Sequence, residues 1–267
     1  MATVGVFTAT RMFFALLWLR FCAMLVHILR VQGLKPVSQF HHKVVIIGDD
    51  FAAGLGDYVT MGSDAGLAAH LKHIIVRSDK VRHKWEIINA GIPGSLSGDW
   101  LLNAPKHYYD RVFKSKSMGD AEIVIIVLGS NELQLNPTGK SDQIVKNIAS
   151  LCDTLRKKGK EVCVATVASP SPLLQEAEQL PLNSMLEEYC KSTKTEDSPV
   201  TLGPRLDAFS YRRENALSFD KYHFNSSSYK LLASNCADFL IPMMTAIEWK
   251  TWKNEIHKVT YDKTLYD

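Results

Sequence analysis

The chain has 267 residues, 46% hydrophobic and 22% charged, a balance that suits a globular protein with a sizeable core and excludes a disordered or fibrous chain. Its formal charge of +3 is unevenly placed: residues 1–48 hold Arg11, Arg20, Arg30, Lys35 and Lys43 and no acid, leaving 26 basic against 28 acidic residues after Gly48. The basic balance therefore belongs to an N-terminal arm and argues against a nucleic-acid partner. Five scattered cysteines (Cys22, Cys152, Cys163, Cys190, Cys236) with no Cys-x-x-Cys spacing suggest neither a zinc site nor a disulfide framework, but reduced, buried thiols.

The first element is the apolar run Met12 to Leu29, "MFFALLWLRFCAMLVHIL". It approaches the length of a bilayer crossing, but Arg20 and His27 interrupt it, seven residues apart and so near one helical face. An arginine at the centre of a spanning helix costs roughly 2.5–3.5 kcal/mol on insertion scales. Three readings stay open: a flawed signal anchor, a helix lying in the membrane interface or packed on the domain, and an acid-free targeting presequence. Membrane association through the arm is the leading one, giving a membrane-associated or intracellular location. A cleavable secretory signal is disfavoured, because the apolar core before Arg20 is short and no small-x-small site follows. Residues 31–43, with Gly33 and Pro36, read as a linker. The division expected is arm and linker 1–42, main domain 43–248 and tail 249–267.

Beyond the linker, strand-like and helix-like segments alternate. Nearly continuous apolar runs at Val44 to Ile47, Trp85 to Ile88, Ile123 to Leu128 and Val162 to Val167 predict strands buried on both faces. Helical spacing appears in Asp64 to Val76, in the stretch carrying Ile144, Ile148, Leu151 and Leu155 and ending at Gly159, and from Ser226 onward with a bend expected at Pro242. This alternation implies a parallel sheet covered by helices, with a site at the carboxyl ends of its strands.

Four segments stand at such places. Gly48-Asp49-Asp50 follows the first strand, "NAGIPGS" (Asn89 to Ser95) the second and "GSNE" (Gly129 to Glu132) the third, while "FDKYHFN" (Phe219 to Asn225) precedes the last helix. Taken singly, each has a bland account as a glycine turn or a capping loop. Taken together, from about Lys43 to Met244, they resemble the SGNH hydrolase family, also called GDSL esterases and lipases. The resemblance implies an α/β fold, a flavodoxin-like three-layer αβα sandwich with a central parallel sheet. It also implies Asp220 as triad acid, His223 as base, and Gly91 and Asn131 in the oxyanion hole. The family's serine position is held by Asp50, and Glu132 stands where an aspartate is common.

Asp50 has no hydroxyl proton for His223 to remove, its attack on an ester would give an anhydride less stable than the ester, and its charge opposes the oxyanion. Four outcomes follow: rescue by Ser95, Ser97 or Ser130; a water activated by Asp50 or His223; a divalent cation bracketed by Asp50, Asp220 and His223; or an ion pair of Asp50 with protonated His223 that leaves binding without turnover. The last is preferred, with no cofactor or metal. The protein is then a pseudoenzyme holding an acyl or ester, lipid-like small molecule, and the alternative is an active carboxylic ester hydrolase. His70, His73, His41 and His42 read as structural or linker residues, Asn225-Ser226-Ser227 as an unused glycosylation triplet, and Glu248 to Lys258 as a terminal amphipathic helix packed on the domain or touching a membrane surface.

Overall fold

A parallel strand covered on both faces must be apolar along its length rather than at alternate positions, and three of the runs read from the sequence become such strands, while Trp85 to Ile88 falls in an edge strand whose Glu86 is exposed. The structure, a computed structural model, describes residues 13–22, 40–57, 65–135, 141–168, 181–195, 197–208 and 214–255. Five parallel strands, β1 His41–Gly48, β2 Lys84–Gly91, β3 Ile123–Val127, β4 Glu161–Val164 and β5 Thr201–Leu202, form one sheet in the order β2-β1-β3-β4-β5. The helices are α1 (residues 13–22), in the N-terminal arm, and, around the sheet, α2 Asp50–Ala53, α3 Leu67–Val76, α4 Tyr108–Phe113, α5 Ser130–Leu135, α6 Ser141–Arg156, α7 Pro181–Ser192 and α8 Ser226–Glu255.

Successive side chains of the central strands serve opposite cores. Val44, Ile46, Ile123 and Ile125 pack with Leu71 and Ile75 of α3 and Leu232 and Leu240 of α8. Val45, Ile47, Val124 and Ile126 pack instead with Tyr109 of α4, Ile148 and Leu151 of α6 and Leu186 of α7. The result is the expected αβα sandwich with flavodoxin-like strand order. In that order the chain leaves β1 and β3 toward opposite faces, opening a crevice at their carboxyl ends.

Several boundaries differ from the expectation. β1 begins at His41, so His41 and His42 are strand rather than linker. His42 is buried, with Nδ1 2.9 Å from Glu122 Oε1 and Nε2 2.9 Å from His83 Nδ1. A histidine paired on both nitrogens satisfies its polar atoms inside the sheet, which an apolar-run criterion cannot foresee. The rest of the proposed linker, residues 31–39, lies outside the described residues. β5 has two residues, too few to leave a signal, and α4 and α7 were not foreseen. α8 continues through Pro242 to Glu255. Among the described residues, no helix is long and apolar enough to cross a membrane.

α8 is pinned to the amino end of β2 by one carboxylate. Glu248, 6% exposed, accepts from the Arg82 N–H at 3.1 Å, the His83 N–H at 2.9 Å and Trp85 Nε1–H at 2.8 Å. Removing it strands the buried Trp85 indole N–H and two partly buried backbone N–H groups. Glu248→Ala is expected to cost roughly 2–4 kcal/mol and Glu248→Gln less than half of that, measured by urea unfolding; equal losses would mean that the carboxylate does not hold the helix.

Candidate functional site

The site begins where β1 runs out of sheet. At Gly48, φ is 143° and an added Cβ would lie 1.8 Å from the Val127 carbonyl oxygen, so only glycine lets β1 turn this close to β3. Asp49 then caps α2: its N–H donates to Val127 O at 2.9 Å and its Oδ1 accepts from the Phe51 N–H at 3.1 Å. Its Oδ2 accepts from both the N–H (3.1 Å) and the hydroxyl (2.6 Å) of Ser130, the first residue of α5. One buried carboxylate thus ties the end of β1 to the end of β3.

Asp50, 1% exposed, opens α2 and points into the crevice. Its Oδ1 accepts from the Gly94 N–H at 2.5 Å and from Asn131 Nδ2–H at 3.3 Å, and its Oδ2 lies 3.3 Å from His223 Nε2. The last distance is that of an ion pair, off the line needed for a hydrogen bond. On the other side of the imidazole, His223 Nδ1 lies 2.6 Å from Asp220 Oδ2, while Asp220 Oδ1 accepts the N–H groups of Tyr222 and His223 at 3.0 Å. Phe51 and Tyr222 pack on the ring, with centroids 5.2 and 4.9 Å away. Asn131 Nδ2 also donates to Ser95 O at 3.1 Å.

These contacts set the charges. For His223, burial works against the cation, but Asp220 and then Asp50 outweigh it and lift the pKa from 6.5 to about 9. Burial likewise opposes ionisation of Asp50, yet His223 foremost, then the Gly94 N–H, hold its carboxyl below the usual range. Asp220 is lowered in the same way, burial being overcome by His223. Asp49 has no cation beside it: burial raises it to about 7, against the Ser130 hydroxyl, with the Asp50 charge adding to the rise.

The residues proposed from the sequence therefore meet, apart from Gly91. The Gly91 N–H donates to its neighbour Asn89 Oδ1 at 2.9 Å, and a Cβ there would lie 2.3 Å from Ala53 N, so its glycine serves the packing of β2 on α2. The N–H aimed at Asp50 comes three residues later, from Gly94 at φ +73°, for which the turn signal Pro93-Gly94 was the available clue. The three other serines are committed elsewhere. Ser95 Oγ donates to Gly48 O, Ser97 Oγ accepts from Asn147, and Ser130 Oγ donates to Asp49.

His70 sits beside the buried Asp57, but Asp57 Oδ2 (2.9 Å) and Ser226 Oγ (3.3 Å) both approach its Nε2, so the three form no relay. Among the described residues no group of histidine, cysteine and carboxylate side chains is arranged to hold a metal ion. Asn225 caps α8, accepting from the Ser228 N–H and donating to Asn215 O, which leaves its amide engaged.

The same fold occurs in solved hydrolases. A lipase/acylhydrolase from Enterococcus faecalis is 18% identical, with a TM-score of 0.53 over 77% of this chain and 96% of that one. A family 3 carbohydrate esterase from Clostridium thermocellum is 15% identical, with a TM-score of 0.59 over 78% and 99%. LAE5, an alpha/beta hydrolase from the metagenome of Lake Arreo in Spain, is 17% identical, with a TM-score of 0.55 over 80% and 98%. At such identities the likeness is one of fold, and no curated protein matches the chain. The model of the GDSL-like lipase/acylhydrolase family matches residues 46–231, which include every block just described, and the chain belongs to that family.

Proposed function

We propose that this chain is an SGNH/GDSL family member in which Asp50 stands in the place of the nucleophilic serine, and that it holds an acyl or ester-bearing small molecule without cleaving it. The observation that carries the reading is the carboxylate of Asp50 lying between the donors and the base that ester cleavage would need. Gly94 N–H and Asn131 Nδ2–H, the donors that would receive a developing oxyanion, both point at Asp50 Oδ1. His223 faces Asp50 at 3.3 Å and keeps its proton up to about pH 9, so at neutral pH it has no lone pair with which to act as a base. A water activated by His223 would need an unprotonated imidazole, and one activated by Asp50 would have to displace the donors on a carboxylate whose lowered pKa makes it a weak base. Rescue by another serine finds the hydroxyls of Ser95, Ser97 and Ser130 bonded away from His223.

The reading is tested by hydrolysis of a short-chain chromogenic ester. The native chain is expected to stay at background, Asp50→Ser to rise at least about 10²-fold above it, and Asp50→Ser with His223→Ala to fall back. Turnover by the native chain that His223→Ala abolishes would overturn the proposal in favour of an active carboxylic ester hydrolase. Within the Asp50→Ser background, Asn131→Ala should lower kcat by about 10²-fold with little change in KM, as for loss of an oxyanion donor.

The charge pair has its own signature. His223 titrates near pH 6.5 unfolded and near 9 folded, so the folded state holds the extra proton between these values. Its stabilisation is complete below about pH 6.5 and lost as pH rises through about 9. The stability advantage of the native chain over His223→Gln should therefore shrink between pH 6.5 and 9.5, and the NMR titration of the His223 ring should move to lower pH in Asp50→Ser. A native midpoint near 6.5 would show that no such pair forms.

A further inference from the structure

The end of the domain opposite Asp50 carries exposed aromatic side chains that neither core uses. α8 starts beside the site and, at about 1.5 Å per residue, descends roughly 45 Å along the sheet. Its lower turns, with Met243, Ile247 and Lys250, line a cleft of about 430 Å³ beneath Glu122 and Glu161 at the amino ends of β3 and β4. Just beyond Glu248, Trp249 and Trp252 stand out from the domain, stacked at 5.2 Å and exposed by 57% and 40%. Val76, at the end of α3 on the same side, is 76% exposed. The N-terminal arm joins at this end, since Phe40 leads into the first residue of β1. Within the arm, α1 exposes Phe13, Phe14, Leu17, Trp18 and Phe21 by 45–62%.

Charge says what such a surface meets. Arg77, Lys80, Arg82, Lys84, Lys157, Lys158, Lys250 and Lys253 are exposed around this end, against exposed Asp79, Glu86 and Asp153 and half-buried Glu161 and Glu255. The nearby Asp120 and Glu122 are engaged by Lys43 and His42. The arm itself has four basic residues, Arg11, Arg20, Arg30 and Lys35, and no acid, Lys43 being paired with Asp120. Exposed tryptophan and phenylalanine among lysines and arginines complement a surface that is apolar just below an anionic layer.

We propose that this pole docks on an anionic lipid bilayer, with α1 lying in the interface and Trp249 and Trp252 entering the headgroup layer beside it. The eight residues of β1 then hold Asp50 roughly 25 Å away on the aqueous side, so the site takes its ligand from the water phase and not from the bilayer beneath. The proposal is independent of what Asp50 does.

Sedimentation of the full chain with vesicles of phosphatidylcholine, alone or mixed with phosphatidylserine, tests it. The native chain is expected to partition at least about tenfold better onto the mixed vesicles. Trp249→Ser with Trp252→Ser, and separately Phe14→Ser with Trp18→Ser, should each lower that binding about tenfold while leaving the thermal midpoint unchanged. In a Trp18→Phe variant, spin-labelled lipid should still quench fluorescence, through Trp249 and Trp252, because Trp85 and Trp100 are buried. Failure of the native chain to sediment, equal binding to neutral vesicles, full binding by either pair of variants, or absence of quenching would each overturn the proposal.

Discussion

Everything at the top of this sheet depends on Asp49. In a doubly wound sheet the first and third strands end side by side, and their chains then diverge to opposite faces. Their ends would part unless something bridged them. Asp49 does so with its own N–H on the Val127 carbonyl oxygen and its carboxylate on Ser130. Since Asp50 and Asn131 follow directly from those two residues, this bridge sets the distance between them. The close approach in turn requires Gly48, where a side chain would collide with the β3 backbone.

The bridge places two carboxylates next to one another inside the protein, and their environments separate them. Asp50 faces a cation and two donors and stays ionised. Asp49 is fully enclosed, sees only the Ser130 hydroxyl and backbone donors, and so bears the cost of proximity, with its carboxyl raised to about 7. Adjacent like charges are thus tolerated because one is balanced by His223 and the other retains its proton over much of the acidic range. The imidazole between Asp50 and Asp220 responds in the opposite sense: each carboxylate stabilises its cation, and their joint effect exceeds the penalty of burial. In the proposed reading, the features that would favour turnover beside a serine hydroxyl, namely donors aimed at one point and a base held by an acid, favour a permanent internal salt bridge beside a carboxylate.

Long-range order was legible in this sequence where burial was complete. β1 and β3 are apolar over their inner residues because both faces are covered, and the alternation of runs with helical patterns was enough to give a parallel sheet with helices on both sides. The blocks holding Asp50, Asn131, Asp220 and His223 stand beside such elements, and it is their joint resemblance to the SGNH family that singled these residues out. What escaped was decided by partners rather than by pattern. His42 enters the sheet because Glu122 and His83 satisfy it, and no local signal announces partners some 40 and 80 positions away. The displacement from Gly91 to Gly94 has a similar cause: both are glycines in one turn, and only the packing of β2 on α2 separates the one that must be small from the one whose N–H turns toward Asp50.

The two ends of the sheet also differ in how they treat polar groups. At the carboxyl ends, Asp49, Asp50, Asn131 and His223 are buried, Asp50 engaged by Asn131 and His223 and Asp49 by Ser130. At the amino ends, Glu248 gathers the loose donors of β2, and what remains outward includes stacked tryptophans among more basic than acidic side chains. Parallel strands impose this asymmetry, because every carboxyl end opens into a loop that leads to the next helix, and every amino end receives one. A chain built this way concentrates its reactive geometry at one pole, which leaves the other free to be selected for adhesion. The exposed Trp249 and Trp252, displaced from both cores by the single turn that follows Glu248, stand where that freedom is greatest.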